Sequence, residues 1–267
     1  MRRALLPLVT FGLFILVLAD RFDEWREGRS PAGPPVQGAN ETRSATAYVV
    51  DAKEDTRSEG AAALNAYEAA DRLTRMAARE RLSREAGGTY LDSLIVSTDS
   101  VVRRWPDRWG TPLRVHIVEG GAPGYLPRMA GLVREAFDRW EQTGIGVRFQ
   151  MVPDSTGADI TVRWIDRFDF DRAGQTDLTW DQLGRVRRAA ISLALRTHTG
   201  AHLPDAALMS VAVHEAGHAI GLPHSADTND VMFPATRTST LTDRDRRTVE
   251  VLYRIPPGPV RDDSTRR

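Results

Sequence analysis

The chain has 267 residues, with 36 basic and 36 acidic side chains and no cysteine. That length accommodates one domain with appendages or at most two, and a zero net charge gives no electrostatic attraction to nucleic acid, so no nucleic-acid partner is expected. The lack of cysteine excludes a disulfide framework and leaves the redox compartment open.

Met1-Arg2-Arg3 precedes an apolar run from Ala4 to Ala19, the charged-then-apolar pattern of an export signal. The run is shorter than the ~20 residues of a comfortable membrane span, and Val17 and Ala19 are small enough for cleavage before Asp20. Residues 1–19 are therefore read as a signal peptide or a membrane anchor, the latter attaching through residues 4–19. The protein is expected to be exported: secreted, periplasmic, or membrane-anchored facing outside the cytoplasm.

Residues 20–58 are rich in Pro, Gly, Ser and charge, which predicts a flexible linker. Residues 59–88 form a helical spacer or pro-segment, with Leu64, Tyr67, Leu73, Met76 and Leu82 at partly helical spacing and Gly87-Gly88 as the stop. So thin a stripe favours a solvated helix packing loosely on the domain.

Residues 100–256 carry the domain itself. Leu113 to Val118 alternates as a strand. Leu126 to Gln142 places Met129, Leu132, Val133, Ala136, Phe137 and Trp140 at three-and-four spacing, an amphipathic helix that ends near Gly144. Val147 to Val152 and Asp159 to Trp164 are strand-like, and strand, helix, strand fits a right-handed crossover. Thr176 to Trp180 and Ala189 to Leu195 flank a turn near Asp181 to Gly184, a hairpin pattern. Helices follow at Ala206 to Ile220 and near Thr242 to Tyr253, before Pro256-Pro257-Gly258-Pro259 breaks into a disordered tail over 257–267.

The chemistry is concentrated at His214-Glu215-Ala216-Gly217-His218-Ala219-Ile220-Gly221-Leu222-Pro223-His224. On a helix, His214 and His218 share a face, and two imidazoles on one face can bind one Zn²⁺. Glu215 is offset towards the water instead of the metal. Gly221 can end the helix and turn the chain, so that His224 arrives as a third ligand. Three protein ligands with an open fourth position is the catalytic pattern; structural zinc sites are usually closed by four. The cofactor expected is one catalytic Zn²⁺.

These residues resemble the metzincin metalloproteases, whose motif H-E-x-x-H-x-x-G-x-x-H is followed by a methionine turn. Val231-Met232-Phe233-Pro234 looks like that turn, and Ser225 after His224 resembles the matrixin branch, the matrix-metalloproteinase-like group, here in a bacterial-looking form. Arg104-Trp105-Pro106, Arg134 to Trp140, Ala158 to Val162 and Leu241 to Tyr253 are similar to matrixin segments in the same order. The resemblance implies an α+β, zincin-like fold: a twisted mixed β-sheet, a long packing helix, an active-site helix and a C-terminal helix. It implies a zinc-dependent endopeptidase acting on extended polypeptides through a metal-activated water, with Glu215 as general base and His214, His218 and His224 on the metal. Met232 would floor the site. Thr176 to Trp180 would be the edge strand that pairs with substrate, and Leu178, Thr179, Trp180, Val211 and Pro234 would contact it, with Leu208 and the Phe233 to Thr236 segment lining the pocket.

The sequence departs from the family at several points. Without cysteine, a cysteine-based latency switch has no basis, and Thr176 to Leu195 lacks the histidine and acid clusters for structural zinc or calcium. Arg244 replaces the first of two adjacent acids, while Asp245 keeps the second and could brace the methionine turn. Asp166, Asp169 and Asp171 fit either a calcium loop or an exposed irregular segment, so structural calcium has no specific support. His116, His198 and His202 read as ordinary strand and loop histidines. Two alternatives remain: a non-catalytic zinc-containing peptide-binding module, and a narrow-specificity processing protease for one exported protein.

Overall fold

Alternating burial creates the sheet. In β2 (Leu113–Ile117), Leu113, Val115 and Ile117 point inward; in β4 (Ile160–Ile165), Ile160, Val162 and Trp164 do the same. Period-two patterning of this kind gives a strand one core face. The computed structural model describes residues 66–67, 69–70, 73–78, 80–91, 101–108 and 110–259; the expected signal or anchor over 1–19 and the linker over 20–58 lie outside them. The described residues all fall within one compact unit, 53–267.

The elements run β1 (Val101–Val102), β2, α1 (Arg128–Glu141), β3 (Phe149–Val152), β4, β5 (Gly174–Trp180), β6 (Val186–Ala194), α2 (Asp205–Ala219), α3 (Asp243–Arg254) and β7 (Gly258–Pro259). The main sheet is five-stranded, in the order β3-β2-β4-β6-β5. β2 is parallel to both β3 and β4, and β4 is parallel to β6. β5 returns antiparallel to β6 and ends the sheet as an edge strand. The observed architecture is the mixed sheet with packing, active-site and C-terminal helices expected from the sequence.

α1 buries Met129, Val133, Ala136, Phe137 and Trp140 against the sheet and α2. The Trp140 indole then donates to the Val213 carbonyl in α2 at 2.8 Å. α2 is buried on almost every face, from Leu208 through Ala219, because it lies against α1, β5 and β6. Its C-terminal carbonyls are capped by side chains from far away: the Trp105 indole donates to Ala219 at 2.8 Å and the Tyr253 hydroxyl to Ile220 at 3.0 Å. Such caps satisfy groups that a helix end leaves without partners.

Two features differ from the sequence reading. The helix before Gly87 docks instead of packing loosely: Ala78, Leu82 and Ala86 are buried, while Tyr67, Leu73 and Met76 of the expected stripe are 61–67% exposed. Two alanines and the leucine between them, at i, i+4 and i+8, supply the buried face. The segment is then fastened to α3, where the Arg81 guanidinium donates to the Arg254 carbonyl at 2.8 Å and that of Arg247 to Gly87 at 3.0 Å. Gly258-Pro259, expected in the disordered tail, instead pairs antiparallel with Val101-Val102. A proline is tolerated there because this two-stranded ribbon has no strand on its other side to receive an N–H.

Candidate metal and catalytic site

His214 and His218 lie one turn apart on the last part of α2, and the chain reverses immediately after it. Gly221 has φ +100°, a conformation that side-chain-bearing residues rarely adopt, and a Cβ there would overlap the Arg103 carbonyl oxygen. The reversal brings His224 back beside the helix. The ring centroids of His218 and His224 are 4.6 Å apart, those of His214 and His218 4.7 Å, and those of His214 and His224 5.3 Å.

Backbone carbonyls set the tautomers of the two helical histidines. Nδ1 of His214 bonds the Val231 carbonyl at 2.7 Å, and Nδ1 of His218 bonds the Leu222 carbonyl at 2.8 Å. A carbonyl only accepts, so each Nδ1 carries the proton and each Nε2 is left with its lone pair. Orienting partners of this type are characteristic of metal-ligating histidines. Nε2 of His218 and Nε2 of His224 stand 3.1 Å apart, and one nitrogen from each of the three rings fits within 4.8 Å of the others. Two nitrogens each ~2.0–2.1 Å from a tetrahedral zinc are separated by ~3.3 Å; the donor set therefore fits zinc. Among the described residues it is the one such cluster of His, Asp or Glu.

Electrostatics keep the rings neutral. Burial lowers the His214 pKa, and burial together with its two histidine neighbours holds His218 well below the usual imidazole value. Burial, His214 and the Arg172 cation bring His224 down to about 4. Neutral imidazole is the form that ligates metal.

Glu215 is buried between α2 and β5, and burial raises its carboxyl to about 7, opposed by a hydrogen bond from Thr176 and by the Arg172 charge. The Thr176 hydroxyl lies 2.6 Å from Glu215 Oε2. Gly174, two residues earlier on the same face of β5, lies so close that a Cβ there would overlap Glu215 Oε1 and stand 2.7 Å from Val211 Cγ1. A side chain at position 174 would therefore displace the carboxyl.

Met232, expected as the floor of the site, is fully buried and packs against α2 at Gly217. The turn holding it is tied in from both sides. The Ser225 amide donates to the Met232 carbonyl at 2.9 Å. Asp245, fully buried at the start of α3, accepts from the Val231 amide at 3.1 Å, from the Thr242 amide at 2.9 Å and from the Tyr90 hydroxyl at 3.1 Å. Burial and the neighbouring Asp245 carboxylate raise the Tyr90 pKa far above its usual value, so the phenol remains a donor. Arg244 lies 3.5 Å from Asp230 and over the Tyr90 ring.

Of the substrate-contacting residues expected, Val211 lies one turn before Glu215 and beside Gly174. Leu178 is half-buried against the core. Thr179 and Pro234 are exposed, and Trp180 is 44% exposed beneath the Arg103 guanidinium at 4.3 Å. His116, His198 and His202 lie outside the cluster; His198 pairs with Asp171 at 3.1 Å and Asp166 with Arg196 at 3.3 Å. Sequence reading missed Gly174 and Thr176 as residues of the site. Thr176 had one signal, its place at the start of the strand expected at the cleft; Gly174 lay outside that expected strand, which the structure extends back to Gly174.

No helix among the described residues is long and apolar enough to cross a membrane. Residues 127–254 match the profile of the matrixin family, peptidase M10. No curated protein matches the chain.

Proposed function

From the premise that residues 127–254 form a matrixin-type metzincin domain, and hence the body of a zinc metalloprotease, we propose that Glu215 is the general base of hydrolysis and that His214, His218 and His224 hold the zinc. The observation that carries this reading is the convergence of the three rings, with the carboxyl of Glu215, which follows His214 on the same helix, buried against β5. When bound, zinc supplies Lewis acidity, lowering the pKa of water and polarising the scissile carbonyl.

The side chains do the rest. Glu215 accepts the attacking water's proton and passes it to the leaving amine nitrogen. The outer edge of β5 carries backbone N–H and C=O groups not used by the sheet, so an extended peptide can add as a further strand and bring its scissile bond over the histidines. The substrate class is therefore extended polypeptide. The export pattern of residues 1–19 supports substrates outside the cytoplasm.

The test is cleavage of a library of quenched extended peptides by the full chain, with and without a chelator. Internal cleavage that the chelator abolishes and stoichiometric zinc restores is expected. Peptide binding without any cleavage would leave a zinc-containing binding module in place of a protease.

A further inference from the structure

The carboxyl of Glu215 is held by the strand that receives the substrate. Residues 174 and 176 project from the same face of β5, towards α2. The first has no side chain, which lets the carboxyl fit beneath the strand; the second places its hydroxyl on Oε2 at 2.6 Å and on the Glu215 carbonyl oxygen at 3.1 Å. A hydroxyl has one proton to give. The shorter contact, to a group that becomes anionic, is the stronger.

We propose that Thr176 is a positioning residue for Glu215: by holding Oε2, it leaves Oε1 to take the proton of the attacking water. This rests on the reading of Glu215 as the base. The physical need is specific, because the terminal torsion of a glutamate is broad and roughly two-fold, so packing alone does not select which oxygen faces the reaction. One fixed donor on one oxygen does select it. The Thr176 proton stays on its own oxygen throughout: water gives a proton to Oε1, Oε1 gives it to the leaving nitrogen, and the threonine hydroxyl remains a donor to Oε2. Because Thr176 belongs to β5, the base and the incoming peptide are aligned by one element. Substrate addition at the edge then acts on a carboxylate already oriented.

The experiment compares the full-length chain with Thr176→Val, which keeps the shape and removes the donor, and with Thr176→Ser, which keeps the donor. Zinc content, thermal stability, affinity for an uncleavable extended peptide, kcat and KM are measured for each, with Glu215→Gln as the reference. Losing a hydrogen bond to a charged group predicts a kcat ~10- to 100-fold lower for Thr176→Val. KM and peptide affinity are expected within about twofold of the parent, zinc at one per chain, and kcat largely restored in Thr176→Ser. A Thr176→Val enzyme with undiminished kcat beside an inactive Glu215→Gln would overturn the role of Thr176 and leave the base intact. An active Glu215→Gln would remove the base and this proposal together. Loss of zinc in Thr176→Val, or failure of serine to restore kcat, would reduce the threonine to a structural part of the slot.

Discussion

α2 and the helical segment before Gly87 are both alanine-rich, yet the fold uses them in opposite ways. α2 has no arginine or lysine from Asp205 to Ala219 and is buried on nearly all sides. The N-terminal segment carries arginines at 72, 75, 79, 81 and 84 and buries one narrow stripe, Ala78, Leu82 and Ala86. Alanine content therefore says little about placement; the distribution of charge around the helix decides it, since each buried charge needs a partner. The chemistry follows the same division. α2 carries two of the three clustered imidazoles and a carboxyl, whereas the N-terminal segment leads to Tyr90, whose hydroxyl donates to the Asp245 carboxylate that also accepts from the Val231 amide.

Leu82→Ala breaks this comparison most severely. Leu82 is fully buried, and truncating such a leucine costs ~2–5 kcal/mol. A lower midpoint of denaturant unfolding and faster proteolysis near residues 78–91 are expected. Unchanged stability would mean that the segment is not a working part of the domain. Tyr90→Phe is gentler and more informative. It removes one donor to a buried carboxylate, a loss of ~1–3 kcal/mol, while leaving the other donors to Asp245 in place. Lower stability with zinc still at one per chain is expected from chemical denaturation and metal analysis. Loss of zinc in this variant would show the two regions to be far more tightly coupled than one hydrogen bond through Asp245 allows.

The pattern of what was legible follows from distance along the chain. Helical geometry puts His214 and His218 on one face without help from the rest of the fold, and Gly221 announces its own turn; those residues could be read directly. Strand alternation in β2 and β4, and the three-and-four spacing of α1, were equally local. Thr176 depends on a partner 39 residues away and Tyr90 on one 155 residues away, so neither carries a local mark. Arg104 shows the same limit: it is 3% exposed, with its guanidinium on the Ile255 and Trp105 carbonyls and on Asp107. Of these partners only Ile255 is distant, 151 residues along the chain, and it is the one the local sequence does not announce. The N-terminal stripe misled for another reason. Most of its large apolar residues are exposed, and the buried face is two alanines and one leucine.

The central claim is that three imidazoles hold one zinc and the adjacent carboxyl moves the proton. Glu215→Gln, assayed in the full chain for zinc content and for cleavage of a quenched extended peptide, tests it most directly. The account predicts one zinc per chain and a rate lower by ~10²- to 10⁴-fold, the contribution of a positioned general base. Cleavage at the parent rate with zinc retained would contradict it.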